Sequence, residues 1–186
     1  MSASETGKAA LLFIDIDHFK NINDTMGHAF GDKLIIKVGK KLASLLEDNC
    51  SIYRLGGDEF IIIIHSIKDE EDVREFALHI INGFKEKICL MDSALHISLS
   101  IGIAIYPEHS DNIEELIKYA DIAMFKAKET GRKSFVVYDE QMNDAFTERM
   151  SIEKHMHAAL EKNQFEIYYQ PQLDLQTNKV SDLKHS

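Results

Sequence analysis

At 186 residues, 45% hydrophobic and 28% charged, the chain is long enough for one domain with a full core plus an appendage, and its make-up is that of a globular protein. A formal charge of −10 argues against a nucleic-acid or anionic-membrane surface, because both partners select basic patches. No apolar run approaches the roughly 18 residues of a membrane span, and no signal-peptide core opens the chain, so a cytoplasmic protein without a membrane segment is expected.

Met1 to Lys8 is small and polar and reads as disordered or as an artificial leader. Ala9 to Ile14 is an unbroken apolar run, a buried strand by composition, closed by Asp15 and Asp17. Periodicity then lapses up to Gly31. Phe19 to Asp24 fits a short helical turn, and Gly27 with Gly31 marks a loop of the kind that carries ligands after a central strand. Asp32 to Leu46 is helical, with Leu34, Ile35, Val38, Leu42, Leu45 and Leu46 on one face. The apolar runs Ile52 to Leu55 and Phe60 to Ile64 flank Gly56-Gly57, the pattern of a β-hairpin whose tip lifts Asp58 and Glu59 into the open.

A second helix is predicted over Asp69 to Ile88, then a strand from about Leu95 to Tyr106. In that strand Ile97, Leu99, Ile101, Ile103 and Ile105 face one side. Ser98, Ser100, Gly102 and Ala104 face the other, a small face that another backbone or a ligand can approach closely. Asp111, three residues before Glu114, is the predicted cap of a third helix that turns Ile113, Leu116, Ile117, Ala120, Met124 and Ala127 inward and ends at Gly131. Ser134 to Tyr138 reads as an added strand, and residues 140–163 as a connector helix with a weaker pattern.

The order strand, helix, strand, strand, helix, strand is a ferredoxin-like βαββαβ arrangement, an α+β fold with the first strand beside the third. If those strands run antiparallel, Asp15 comes close to Asp58. Two unit negative charges ~4 Å apart repel by about 1 kcal/mol in water and about 4 kcal/mol near a protein surface, so Asp15, Asp58 and Glu59 together call for a divalent cation. Hard oxygens of this kind suit Mg²⁺ or Mn²⁺ with a phosphate as co-ligand. Zinc is not indicated: the histidines form no His-Glu-x-x-His pair, and Cys50 and Cys89 lack metal spacing and read as free buried thiols.

Gly56-Gly57-Asp58-Glu59-Phe60 is the signature of the GGDEF domains letter for letter. Asp15-Ile16-Asp17-His18-Phe19-Lys20, Asn23-Asp24, and Gly27 through Asp32 resemble that family's first motif. Ser100-Ile101-Gly102-Ile103-Ala104 and Ala127-Lys128-Glu129-Thr130-Gly131-Arg132 resemble two more. The resemblance covers residues 9–139 and implies a palm of the nucleotidyl-cyclase and polymerase type, with an added helix and strand. It also implies a diguanylate cyclase, which condenses two GTP into cyclic di-GMP and pyrophosphate.

By the same resemblance, Asp15 and Asp58 with the Ile16 carbonyl hold two Mg²⁺ ions, and Glu59 lies beside the attacking 3′-hydroxyl. The backbone N–H groups of Phe19 and Lys20 wrap phosphates, Asn23 and Asp32 read guanine, and Lys128 with Arg132 binds phosphate. Blander roles stand beside these. A lone Asp after a strand is ordinarily a turn residue, Asp32 also suits a helix N-cap, the Phe19 side chain suits the core, and cations four apart at a helix end are favoured by its dipole.

The implied partners are GTP and a second copy of the chain in a transient homodimer. The stretch Phe165 to Leu175 resembles the opening of an EAL phosphodiesterase domain, so residues 164–186 are read as a truncated start of one and no phosphodiesterase activity is expected. The rival reading is a silent GTP-binding GGDEF domain that regulates a fused or partner EAL domain. Three departures stand out. Glu47 and Cys50 occupy the positions of the family's Arg-x-x-Asp inhibition site, so feedback there is not expected. Lys133 replaces the usual asparagine after the arginine, and the family's leading helix is expected to be missing.

Overall fold

The computed structural model describes residues 7–144, eight separate positions between 147 and 166, and the backbone of residues 169–174 and 179–185. The expectation for the first six residues lies outside the described residues, as do most positions of the proposed connector. The chain divides into two compact units, 1–144 and 145–186. Of the second, the described backbone includes an antiparallel hairpin of β8 (Tyr169–Asp174) and β9 (Lys179–His185).

The first unit is built on β1 (Ala9–Ile16), hydrogen-bonded on both sides in a five-stranded sheet of order β2-β3-β1-β6-β7. Its partners β3 (Glu59–Ile64) and β6 (Leu99–Tyr106) both run antiparallel to it, and β2 (Cys50–Gly56) forms the hairpin with β3. The edge strand β7 (Phe135–Val137) lies parallel to β6. This is the predicted ferredoxin-like order with its added strand.

The unbroken apolar run of β1 has a direct cause: helices cover both sheet faces. Leu12, Ile14 and Ile16 pack with Leu34, Val38 and Leu42 of α2 (His28–Ser44) and with Val73, Ala77 and Ile80 of α3 (Glu70–Gly83). Leu11 and Phe13 pack on the other side with Leu116, Ala120 and Met124 of α4 (Ile113–Glu129). Each such side chain taken fully from water contributes roughly 1.5–3 kcal/mol.

Several boundaries differ from expectation, each for a local reason. Gly31 is not in a loop. It lies buried inside α2, which starts at His28 after a positive-φ Gly27, and a Cβ at Gly31 would stand 1.9 Å from Asn23 Oδ1. That close contact packs α1 (Phe19–Met26) on α2. Asp32 therefore sits inside the first turns of α2 and is not its N-cap. The second helix stops at Gly83, because Ile88–Leu90 and Ser93–Leu95 pair as a separate hairpin, β4 and β5, which also shortens the predicted strand to β6. Helix α4 is capped by Asn112, whose Oδ1 accepts from the Glu114 N–H at 2.8 Å, and not by Asp111. Ile113 is exposed, and so is Cys89, unlike the expected buried thiol. The small face of β6 accommodates a backbone: a Cβ on Gly102 would lie 1.9 Å from the Ala120 carbonyl oxygen of α4.

Candidate active site at the end of the central strand

Antiparallel pairing brings the end of β1 and the starts of β3 and β6 to one edge of the sheet. Asp15 stands opposite Glu59 on one side and Ser100 on the other. Asp58 and Gly57 form the turn between β2 and β3; Gly57 has φ +51°, and the Arg54 guanidinium ties the turn by donating from Nε and Nη2 to the Gly57 carbonyl at 3.1 and 2.8 Å. Glu59 opens β3 and is half-buried, so of the two acidic residues only Asp58 belongs to the turn itself.

Asp15 is 6% exposed, and burial pushes its carboxyl from 3.8 up to about 6; Lys128 opposes that rise, while Asp58 and Asp17 add to it. Lys128 Nζ lies 2.6 Å from Asp15 Oδ2. Burial first, then the charges of Asp121 and Asp58, raise Glu59 as well, and burial raises Asp121 against the pull of Lys128. One lysine thus answers a crowd of carboxylates. Asp121 escaped the sequence reading, although it precedes Lys128 by seven residues, two helical turns on the same face of α4.

Among the described residues no three His, Cys, Asp or Glu side chains converge into a metal cage. Two carboxylates and a backbone carbonyl are nonetheless a fitting donor set for Mg²⁺, which keeps several waters and takes only one or two protein carboxylates alongside phosphate oxygens. The chemistry of the donors therefore fits the group.

The remaining predicted residues lie on α1, on α2 and in the turn after α4. Phe19 and Lys20 open α1, whose N-cap residue His18 lends no side-chain cap, leaving the first N–H groups without that partner. The Phe19 side chain is buried in the core, Lys20 is exposed, and Asn23 abuts Gly31, the neighbour of Asp32. Asn23 Oδ1 is buried without a hydrogen-bond partner. Arg132 does not share a helical face with Lys128 as expected. The helix ends at Glu129, Gly131 turns the chain at φ +118°, and Arg132 and Lys133 follow at φ 61° and 48°.

Asp17 is the second residue the sequence reading left without a role. It is 5% exposed, and its carboxylate accepts from Ser98 Oγ at 2.6 Å, Ser100 Oγ at 2.7 Å and the Lys133 N–H at 3.2 Å.

Two predictions arise from this geometry. Lysine in the left-handed region is strained where asparagine is tolerated, so Lys133→Asn is expected to raise stability by about 0.5–1 kcal/mol, read as a higher urea midpoint at unchanged slope. For Asp15 the folded value, about 6, exceeds the unfolded one, 3.8, so the folded state holds the extra proton between them. Metal-free stability should then fall as pH rises from about 4 to about 6, by on the order of 1–3 kcal/mol, and Asp15→Asn should flatten that decline in calorimetric scans.

Residues 1–134 match the protein family described as "Diguanylate cyclase, GGDEF domain". The chain belongs to the GGDEF family. Its GGDEF domain is 41% identical over 126 residues to the diguanylate cyclase TpbB of Pseudomonas aeruginosa, a match covering 67% of this chain and 29% of that protein. Over 175 residues it is 33% identical to the cyclic di-GMP phosphodiesterase NbdA of the same species, covering 94% of this chain and 22% of NbdA. The GGDEF chain thus spans less than a third of either relative. Among solved structures, the GGDEF domain of P. aeruginosa YfiN (TpbB) superposes with a TM-score of 0.70 at 38% identity, covering 73% of this chain and 84% of that one. The active GGEEF domain of a Vibrio cholerae diguanylate cyclase gives 0.64 at 31%, covering 72% and 84%. Among the described residues no helix is long and apolar enough to cross a membrane.

Proposed function

We propose that this GGDEF domain is a diguanylate cyclase that joins two GTP molecules into cyclic di-GMP with release of two pyrophosphates, by nucleotidyl transfer across a homodimer. The observation that carries the reading is the buried Asp15 carboxylate beside Asp58 at an intact Gly-Gly-Asp-Glu-Phe turn, answered by a single lysine. Such a pocket holds stored negative charge with too little protein cation to neutralise it.

Asp15, Asp58 and the Ile16 carbonyl would hold Mg²⁺ or Mn²⁺. When bound, a metal pair lowers the pKa of the ribose 3′-hydroxyl and stabilises the departing pyrophosphate. Glu59 stands beside that hydroxyl, its carboxyl raised by burial and by the charges of Asp121 and Asp58. The open N–H groups at Phe19 and Lys20 receive phosphate oxygens. Lys128, which rests on Asp15 here, would bind one phosphate group and Arg132 a second. Asn23 and Asp32 receive guanine, and drawing the Asn23 amide outward relieves its buried, unpaired oxygen. Each chain supplies one GTP and one hydroxyl, so neither completes the product alone.

A second reading keeps GTP binding without turnover, in a domain that regulates an attached EAL phosphodiesterase. The match to NbdA over 94% of this chain favours it. Incubation of the purified chain with GTP and Mg²⁺, followed by chromatography, separates the two. Cyclic di-GMP supports the cyclase; bound, unchanged GTP supports the regulator.

A further inference from the structure

Asp17 is a buried carboxylate whose partners are all neutral donors, two hydroxyls and one backbone N–H. Its own N–H donates to the Ser98 carbonyl at 3.0 Å. The β1–β6 ladder already fixes Ile16 against Leu99 and Asp15 against Ser100, so the register of the sheet does not need this carboxylate. What Asp17 reaches beyond the ladder is Lys133. That residue follows Arg132 in two consecutive left-handed positions, a conformation that side-chain-bearing residues leave readily unless the surroundings hold them.

The end of β1 and the residue just past it therefore grip the last turn of α4 and the turn that follows it, one contact to each. Asp15 takes the Lys128 ammonium, and Asp17, two residues on, takes the Lys133 N–H. We infer that Asp17 is a positioning residue: by pinning the Arg132–Lys133 turn to the metal-bearing strand, it sets where the Arg132 guanidinium meets the nucleotide's phosphates. The inference rests on the assignment of Arg132 to phosphate made above. Ser98 and Ser100 belong to the same device. Both hydroxyls donate to the carboxylate, one to each oxygen, compensating its burial and orienting Oδ2 toward the turn.

The test measures binding of a GTP analogue with an α,β-methylene bridge, and of GMP, to the whole chain by calorimetry. Asp17→Ala is expected to weaken triphosphate binding about 10-fold, the loss that follows when one charge-assisted phosphate contact is misplaced, with GMP binding unchanged. Asp17→Asn, which keeps one acceptor oxygen, should recover part of that loss. If Asp17→Ala does not fold, Asp17→Asn and Ser98→Ala carry the comparison, and each should still weaken the triphosphate selectively. In an Arg132→Ala background, either Asp17 variant should add no further loss.

An equal drop for GMP and the triphosphate, or a full second loss on top of Arg132→Ala, overturns the positioning role and leaves Asp17 structural. Undiminished triphosphate binding by Arg132→Ala alone overturns the phosphate assignment of Arg132 and this inference with it. Undiminished binding by the Asp17 variants beside a weakened Arg132→Ala overturns this inference alone.

Discussion

Asp58→Ala is expected to reduce cyclic di-GMP formation by roughly 10³-fold or more, because metal stabilisation of a phosphoryl transition state supplies several kcal/mol and each 1.4 kcal/mol is tenfold. The fold should survive. Asp58 lies in a turn already tied by Arg54 to the Gly57 carbonyl, and no core packing depends on its side chain. Removing its charge also relieves a repulsion that helps to raise Asp15, so the Asp15 carboxyl should titrate lower in the variant. The two effects are read separately: Mn²⁺ titration of the nucleotide complex should show lost metal affinity, and thermal unfolding should show a parent-like domain. An Asp58→Ala variant as active as the parent removes the metal assignment.

The second large effect is structural and reaches the site through α4. Gly102→Ala is expected to destabilise the domain by about 3 kcal/mol or more, a large fraction of the 5–15 kcal/mol of a typical domain. The added Cβ would stand 1.9 Å from the Ala120 carbonyl oxygen, 2.1 Å from the Met124 nitrogen and 2.8 Å from its Cα. These are helix backbone atoms, so no rotamer change makes room. Helix α4 has to withdraw from β6, and it carries Lys128 away from Asp15 as it goes. Gly39→Ala is the control, since its Cβ would meet only the Phe60 ring at 3.2 Å, the end of a side chain. Urea unfolding should show a large fall for Gly102→Ala and a small change for Gly39→Ala. Comparable midpoints would mean that α4 does not pack as closely on β6 as described.

Much of the architecture was readable in the primary order. The apolar run Ala9 to Ile14, the Gly-Gly break before Asp58 and the alternation along Leu99 to Tyr106 are local patterns, and local patterns report strands and turns directly. The prediction that the first strand lies beside the third followed from the element order alone and placed Asp15 next to the hairpin acids. Helix ends were less legible. Asp111 and Asn112 are both good caps, and only the backbone path selected Asn112. Gly31 looked like a loop glycine because its purpose, room for Asn23 of the neighbouring helix, is a contact that periodicity does not register.

What the sequence by itself determined is the palm, its hairpin, and the approach of Asp15 to the hairpin acids. What only the tertiary structure decided is which other charged and polar groups those carboxylates meet. Lys128 is the cation resting on Asp15, Asp121 adds its charge to Glu59, and Asp17 turns to Ser98 and to Lys133, 81 and 116 residues away. The reason is physical. Chain geometry over a few residues fixes a strand or a turn, whereas the burial that raises a carboxyl and the donors that satisfy it come from segments that meet only when the sheet and its helices close over them.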